Sequence, residues 1–337
     1  MIIVLKPGTR GAQVDHVIAR IRELGLRPHV SRGKLRTIIG VIGDEDKIRV
    51  QPLEAIPGVE KVMPVLAPYK LASREFQRED SVVRVRKARF GGKYVSVIAG
   101  PCAVENEKML FAIARAVKAA GAAALRGGAF KPRTSPYSFQ GLGEQALRLL
   151  RRCSEELDLP IVTEVMDTRD VGLVAEYADI LQIGARNMQN FNLLTEVGKT
   201  RRPVLLKRGM SSTVKDLLMS AEYILSQGNR NVILCERGIR TFEEGTRNTV
   251  DISAVPAVQG VSHLPIIVDP SHGTGRRDLV APMARAAVAS GAHGIIVEVH
   301  SCPEKALCDG AQSLTPQAFR EMMSDLRKVA KALGRIM

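Results

Sequence analysis

The chain has 337 residues, too many for one ordinary domain and enough for a large barrel with an addition. Its 45% hydrophobic and 25% charged residues exclude a disordered chain, and 4% aromatics with no Trp argue against a base-stacking surface for single-stranded nucleic acid. The net charge of +14 is spread as +5 over residues 1–70, +4 over 71–93 and +5 over the rest, with no basic tail or block of like charges, which speaks against a nucleic-acid or polyanion binder.

Residues 1–70 read as a small α+β module. Ile2–Leu5 is strand-like. Ala12–Leu24 has helical apolar spacing at Val14, Val17, Ile18, Ile21 and Leu24, with Gly25 as a stop. Pro28–Ser31 and Arg36–Ile42 read as strands around Arg32-Gly33-Lys34. A short helix is expected over Asp44–Ile56, and Pro57-Gly58 leads into a strand over Val59–Leu66. The order βαββαβ predicts a ferredoxin-like fold. Residues 71–93 read as a connector and a β-hairpin, with β-rich Val82–Arg86 and Tyr94–Ile98 on either side of Gly91-Gly92. The stretch Arg84-Val85-Arg86-Lys87-Ala88-Arg89 alternates at strand period, as a hairpin with one solvated face would.

From residue 94 to 337, short β-rich runs alternate with helical stretches. The runs are Val95–Ala99, Ala123–Arg126, Ile161–Val165, Ile180–Ile183, Val204–Lys207, Val232–Cys235, Ile266–Val268 and Ile295–Val299. Eight βα units in this length match a (β/α)8 TIM barrel, which needs about 250 residues. The fold class is therefore α/β: a barrel preceded by a small ferredoxin-like domain. The N-terminus ends its short apolar run at Pro7-Gly8, without the pattern of a signal peptide, and no apolar run reaches transmembrane length. Five irregularly spaced cysteines do not form a disulfide framework, so a reducing cytoplasm is expected. Cys153 and Cys235 read as core.

Barrel chemistry sits where strands end and βα loops begin. Two groups collect there. Arg126, Lys131, Arg133, Arg186, Lys207 and Arg237 are cations that would repel one another without anionic ligands. Neighbouring glycines allow backbone N–H groups close to a phosphate. So many cations suit two acidic substrates, or one with several anionic groups. The second group is Cys102, His272, Glu298 and Asp309, at or beyond the ends of strands one, seven and eight, which are neighbours in a closed barrel. A thiolate, an imidazole and two carboxylates suit a divalent manganese, iron, cobalt, zinc or copper ion. His300, Cys302 and Cys308 are rival ligands on the same loop.

The stretch Gly127-Gly128-Ala129-Phe130-Lys131-Pro132-Arg133-Thr134-Ser135-Pro136-Tyr137-Ser138-Phe139-Gln140-Gly141 resembles the 3-deoxy-D-arabino-heptulosonate 7-phosphate (DAHP) synthases. The likeness is to the type I beta form, which carries an N-terminal ferredoxin-like regulatory domain. Ala99-Gly100-Pro101-Cys102, Ile183-Gly184-Ala185-Arg186-Asn187, Leu206-Lys207-Arg208-Gly209, Leu234-Cys235-Glu236-Arg237-Gly238 and Val268-Asp269-Pro270-Ser271-His272 extend it. The Lys-Pro-Arg-Thr-Ser run separates this family from octulosonate 8-phosphate synthases, which carry an Ala-Asn-Arg-Ser-like stretch there.

The resemblance implies condensation of phosphoenolpyruvate with erythrose 4-phosphate, the first step of the shikimate pathway. It implies that Arg126, Lys131, Arg186, Lys207 and Arg237 hold phosphoenolpyruvate, that Arg133 and Thr134 hold the sugar phosphate, and that Cys102, His272, Glu298 and Asp309 bind the metal. Lys131 is the proton donor and Glu164 positions the attacking water in this reading. The resemblance also implies inhibition by tyrosine or phenylalanine through residues 1–70, where His29 and Ser31 supply polar atoms, and a homotetramer. No nucleic-acid or membrane partner is expected. The rivals are a Schiff-base aldolase using Lys207, the octulosonate reaction with arabinose 5-phosphate, and a polyanion binder.

Overall fold

The computed structural model describes residues 1–33, 35–43, 52–63, 68–133 and 135–337. It divides into two compact units, Met1–Pro68 and Tyr69–Met337.

The first unit contains β1 (Ile2–Leu5), α1 (Gly11–Glu23), β2 (Arg27–Arg32), β3 (Thr37–Ile42) and β4 (Val59–Met63). The sheet order is β2-β3-β1-β4, with antiparallel neighbours throughout. β3 lies between the parallel pair β1 and β2, which is the split βαβ arrangement of the ferredoxin-like fold. Val14, Val17 and Ile21, spaced at helical period, pack on Ile3, Leu5 and Ile39 from the sheet. Residues 44–51 of the helix expected over Asp44–Ile56 lie outside the described residues, and Leu53–Ala55 form a single 3-10 turn. The strand expected over Val59–Leu66 is described as far as Met63.

In the second unit a hairpin of β5 (Val83–Val85) and β6 (Ala88–Phe90) comes first. Its turn falls at Arg86-Lys87, with Arg86 at φ 51°, and not at Gly91-Gly92 as the sequence suggested. The reason is packing. Val83, Val85, Ala88 and Phe90 form one apolar face that packs on Ile98, Ala124, Val162 and Ile233, while Arg84, Arg86, Lys87 and Arg89 face outward. The solvated basic face expected from the alternation is therefore present. Its other face closes one end of the barrel, and Tyr94–Ile98 feeds the first barrel strand instead.

The barrel strands are β7 (Ser96–Gly100), β8 (Ala124–Arg126), β9 (Ile161–Glu164), β10 (Ile180–Ile183), β11 (Val204–Lys207), β12 (Val232–Glu236), β13 (Ile266–Val268) and β14 (Gly294–Glu298). All pair in parallel, and β14 closes on β7. The helices between and after them are α2 (Glu107–Ala120), α3 (Glu144–Leu157), α4 (Val171–Tyr177), α5 (Phe191–Gly198), α6 (Val214–Ser226), α7 (Ala254–Val261), α8 (Pro270–Thr274), α9 (Arg277–Ala289) and α10 (Pro316–Ala332). The period of two sorts the strand residues. Ile98, Ala124, Val162, Ile180 and Leu205 fill the barrel interior, while Val97, Leu125, Ile161, Leu181 and Leu206 pack under the helices. Helix ends follow their local signals: Asn106 caps α2 by accepting from the Met109 N–H at 2.9 Å, and Gly121 ends it at φ 97°. No described helix is long and apolar enough to cross a membrane.

Candidate active site

A cleft of about 720 Å³, counting its open mouth, lies over the C-terminal ends of the strands. Arg126, Lys131, Arg133, Arg186, Lys207, Arg237 and Arg247 line it, with Glu164, His272 and Asp309. The six cations singled out from the sequence thus converge. Thr134 lies outside the described residues.

Their partners differ. Lys207 Nζ sits 2.5 Å from Asp269 Oδ2, both fully buried. Such an ion-paired ammonium is the opposite of the neutral amine that Schiff-base chemistry requires. Arg126 Nη2 lies 3.0 Å from Glu298 Oε1, yet its buried Nε and Nη1 have no hydrogen-bond partner among the described residues. Arg237 is 5% exposed, and among the described residues its guanidinium donates only to the Gly238 carbonyl, at 3.4 Å. Burial pushes the Arg237 pKa down, and Asp269 offsets this only in part. Arg186 has no side-chain partner among the described residues. Arg133 donates to the Phe139 carbonyl at 3.0 Å and to Cys308 Sγ. Unpaired, desolvated guanidinium nitrogens at the mouth of a barrel are anion ligands in waiting.

The glycines beside these cations serve the protein's own packing. A Cβ on Gly184 would fall 2.1 Å from Glu164 Oε1, and Gly238 at φ +86° would press on Asn248. Glu164 is buried and accepts from Gln182 Nε2 at 3.2 Å.

Beside the cations lies an acidic and thiol cluster. One ligand atom each from Cys102, Glu298 and Asp309 lies within 4.8 Å of the others. His272 Nε2 is 3.5 Å from Glu298 Oε1, which places the fourth expected ligand beside this group of three. The short helix α8 aims that imidazole. Asp269 Oδ1 accepts the His272 backbone N–H at 2.9 Å, and Asp269 Oδ2 lies 2.8 Å from His272 Nδ1. A carboxylate on Nδ1 leaves Nε2 as the coordinating nitrogen. Asp309 holds its position in the left-handed region, at φ 47°.

The cluster's electrostatics fit a cation. Burial would raise the Glu298 carboxyl, but His272 and Arg126 hold it below its usual value. Asp309 is pulled to about 2, against burial, by His272, the Cys102 hydrogen bond and Arg247. A hydrogen bond with Cys308, burial and the Glu298 charge hold the Cys102 thiol well above its usual value. The Cys102 thiol donates to Asp309 Oδ2 at 3.1 Å. Among the described residues, buried Glu298 Oε1 accepts no hydrogen bond and meets the charge of Arg126 at 3.0 Å. Two ionised carboxylates, an imidazole nitrogen and a thiol are a donor set suited to a borderline divalent metal.

Of the rival ligands, His300 Nε2 turns to Glu105 at 3.5 Å, and Cys302 donates to Glu304 at 2.9 Å. Cys308 packs against Cys102 and Ala103. Cys153 and Cys235 are buried in the core, with burial raising Cys153 to about 11. His29 and Ser31 both lie exposed on the edge strand β2, on the face away from the core.

Arg247, Asp269, Gln182 and Gln312 join this site without having been given a role from the sequence. Asp269 stood at a strand end and carried that signal. Arg247 and Gln312 sit in long irregular loops, where no periodicity marks them.

Known proteins share this architecture. Residues 79–334 match the DAHP synthetase I family, and residues 1–67 match the DAHP synthase ferredoxin-like domain. The phospho-2-dehydro-3-deoxyheptonate aldolase of Thermotoga maritima is 54% identical over 334 residues, with 99% of each chain covered. The 2-dehydro-3-deoxyphosphooctonate aldolase of Geobacter sulfurreducens is 32% identical over 267 residues, which are 73% of this chain and 97% of that one. The crystal structure of the Thermotoga maritima DAHP synthase matches with a TM-score of 0.93 at 53% identity, over 99% of this chain and 98% of the other. A truncated form of that synthase matches with a TM-score of 0.75 at 52% identity, over 79% of this chain and 98% of its own.

Proposed function

We propose that this chain, which belongs to the DAHP synthetase I family, performs a metal-dependent condensation of phosphoenolpyruvate with erythrose 4-phosphate and water, under feedback control by its N-terminal domain. The family's reaction is a transferase step, 3-deoxy-7-phosphoheptulonate synthesis, at the entry to the shikimate pathway. One observation carries the finer reading: Arg126, whose buried Nε and Nη1 have no partner among the described residues, lines one cleft with Arg237, His272 and Asp309, and Asp309 groups with Cys102 and Glu298.

Arg126, Lys131, Arg186, Lys207 and Arg237 receive the carboxylate and phosphate of phosphoenolpyruvate. Arg133 and Thr134 receive the phosphate of the sugar. Cys102, His272, Glu298 and Asp309 would hold the divalent metal, whose contribution when bound is to polarise the aldehyde carbonyl. C3 of phosphoenolpyruvate bonds to the aldehyde carbon, and the carbonyl oxygen becomes an alkoxide that needs a proton. Lys131 supplies it from Nζ. This role is supported by the lysine's burial against Cys102, with Nζ 3.0 Å from Sγ. Burial opposes the ammonium form there, but neighbouring Cys102 and Glu298 outweigh it and hold the pKa above its usual value. Glu164 orients the water that adds at C2. The C2–O bond to phosphate then breaks as the water oxygen becomes the C2 carbonyl; one water proton leaves with inorganic phosphate and the other restores Lys131.

The test is phosphate release from phosphoenolpyruvate with erythrose 4-phosphate, with and without chelator. Arabinose 5-phosphate replacing erythrose 4-phosphate as the better substrate would move the chain to the octulosonate reaction. Lys131→Met turning over at the wild-type rate would remove the proton-donor role. For residues 1–70, tyrosine or phenylalanine should inhibit, and His29→Ala with Ser31→Ala should weaken inhibition without changing turnover. Full inhibition in that double variant would relocate the effector. The homotetramer and the cytoplasmic setting belong to the same reading, and light scattering checks the first.

A further inference from the structure

We propose that Gln312 and Arg247 act together as positioning residues for the metal-binding carboxylates, turning one oxygen of Glu298 and one of Asp309 toward the thiol and imidazole. The inference rests on the metal site proposed above.

Gln312 is 2% exposed. Its Nε2 donates to Glu298 Oε2 at 2.6 Å, and its Oε1 accepts from Arg247 Nη1 at 3.0 Å. The amide can be oriented only one way, because the carboxylate needs a donor and the guanidinium needs an acceptor. The same Arg247 nitrogen lies 3.2 Å from Asp309 Oδ1. Each carboxylate is therefore tied by this pair through one oxygen, and Glu298 Oε1 also meets Arg126 Nη2 at 3.0 Å. The other oxygen faces the cluster: Glu298 Oε1 lies 3.5 Å from His272 Nε2, and Asp309 Oδ2 lies 3.1 Å from Cys102 Sγ. Without the tie, a carboxylate rotates about its last bond and presents either oxygen, or both.

Arg247 is itself anchored to the element that carries the imidazole. Its backbone N–H donates to the Thr274 carbonyl at 2.9 Å, and Asn248 Nδ2 donates to the His272 carbonyl at 2.9 Å. The pair thus joins three loops, those after β12, β13 and β14. Arg247 also lines the cleft with its side chain 45% exposed, so the tie ends at the cleft wall. Hydrogen-bonding partners of metal ligands typically change metal affinity by about 10- to 100-fold when lost.

The experiment titrates the metal-free full-length protein with Cd²⁺. It reads the thiolate-to-cadmium ultraviolet absorption and the affinity against a competing chelator. Gln312→Leu and Arg247→Gln should each weaken Cd²⁺ binding by about 10- to 100-fold. The double variant should lose less than the product of the single losses, because the two share a contact. Arg247→Lys should recover part of the loss. Circular dichroism of the metal-free variants checks folding. If Gln312→Leu fails to fold, Arg247→Gln decides alone, since its side chain is half-exposed. Affinity for Arg247→Gln within twofold of wild type overturns the proposal. A wild-type protein that gives no thiolate absorption with Cd²⁺ would instead overturn the metal site on which it rests.

Discussion

Asp269→Asn should cost the protein both stability and metal affinity. Asp269 is fully buried and serves Lys207 Nζ at 2.5 Å, the His272 backbone N–H at 2.9 Å and His272 Nδ1 at 2.8 Å. Asparagine keeps an acceptor for the backbone N–H, so the cap of α8 survives. It removes the charge. Lys207 is 4% exposed and would then be an uncompensated buried cation, a loss of about 3–5 kcal/mol. Burial alone would raise the Asp269 carboxyl, but His272, Lys207 and Arg126 hold it well below its usual value. Its folded pKa is depressed, so its stabilisation is complete above the ordinary carboxylate range and is lost as pH falls from that range toward the depressed folded value. The difference between wild type and variant should therefore be constant from pH 6 to 8 and shrink in acid. Urea unfolding of the metal-free full-length chain measures the first effect. Cd²⁺ titration measures the second, an affinity loss of about 10- to 100-fold because Nδ1 is no longer oriented. Lys207→Met with Asp269→Asn removes both charges and should regain most of the stability. A single variant within about 1 kcal/mol of wild type, or a double variant less stable than Asp269→Asn, would refute the reasoning.

Other tests address separate parts of the molecule. His293 is 5% exposed, accepts the Ile266 N–H at 3.1 Å through Nδ1, and is driven to about 4 by burial and Arg335. Being depressed, it should cost wild type about 2 kcal/mol of stability as pH falls from 7 to 5. His293→Asn keeps the acceptor and should escape that loss, and equal pH slopes in urea unfolding would count against this. Gly184→Ala would place a methyl 2.1 Å from Glu164 Oε1, so kcat should fall by about tenfold or more. Gly172→Ala, with nothing within 4 Å, should leave kcat unchanged and raise stability by about 0.5–1 kcal/mol. Equal kcat in both variants would show that Glu164 does not need its present place. Phe90→Ala should destabilise the barrel by about 3–5 kcal/mol in urea, because Phe90 is fully buried where the hairpin packs on the strands. A loss below about 1 kcal/mol would mean that the hairpin merely rests on the barrel end.

Much of the fold was legible because local patterns are short-ranged. Each expected barrel run overlaps an observed strand, since β-branched runs bounded by turn residues and separated by amphipathic stretches admit few other packings. The chemistry at strand ends was legible too. Parallel closure brings every C-terminal strand end to one rim, so Arg126, Lys207 and Glu298 had to meet once the barrel was recognised. The hairpin turn was misplaced because Gly91-Gly92 is a stronger local signal than Arg86-Lys87. Burial of Val85 and Phe90 against the barrel end overrode it.

The net charge of +14 decided little by itself, since the cations that matter are a handful at one rim. The sequence alone determined the barrel, the leading ferredoxin-like module and the inventory of cations and ligands at the strand ends. Only the tertiary structure decided which of those charges are paired. Lys207 is matched by Asp269, Arg126 pairs with Glu298 yet keeps two nitrogens without a partner among the described residues, and Gln312 with Arg247 ties the two carboxylates. The physical reason is range: strand and helix periods are written within ten residues, whereas ion pairs across a cleft join loops 60 or more residues apart, such as Lys207 with Asp269 and Arg247 with Asp309.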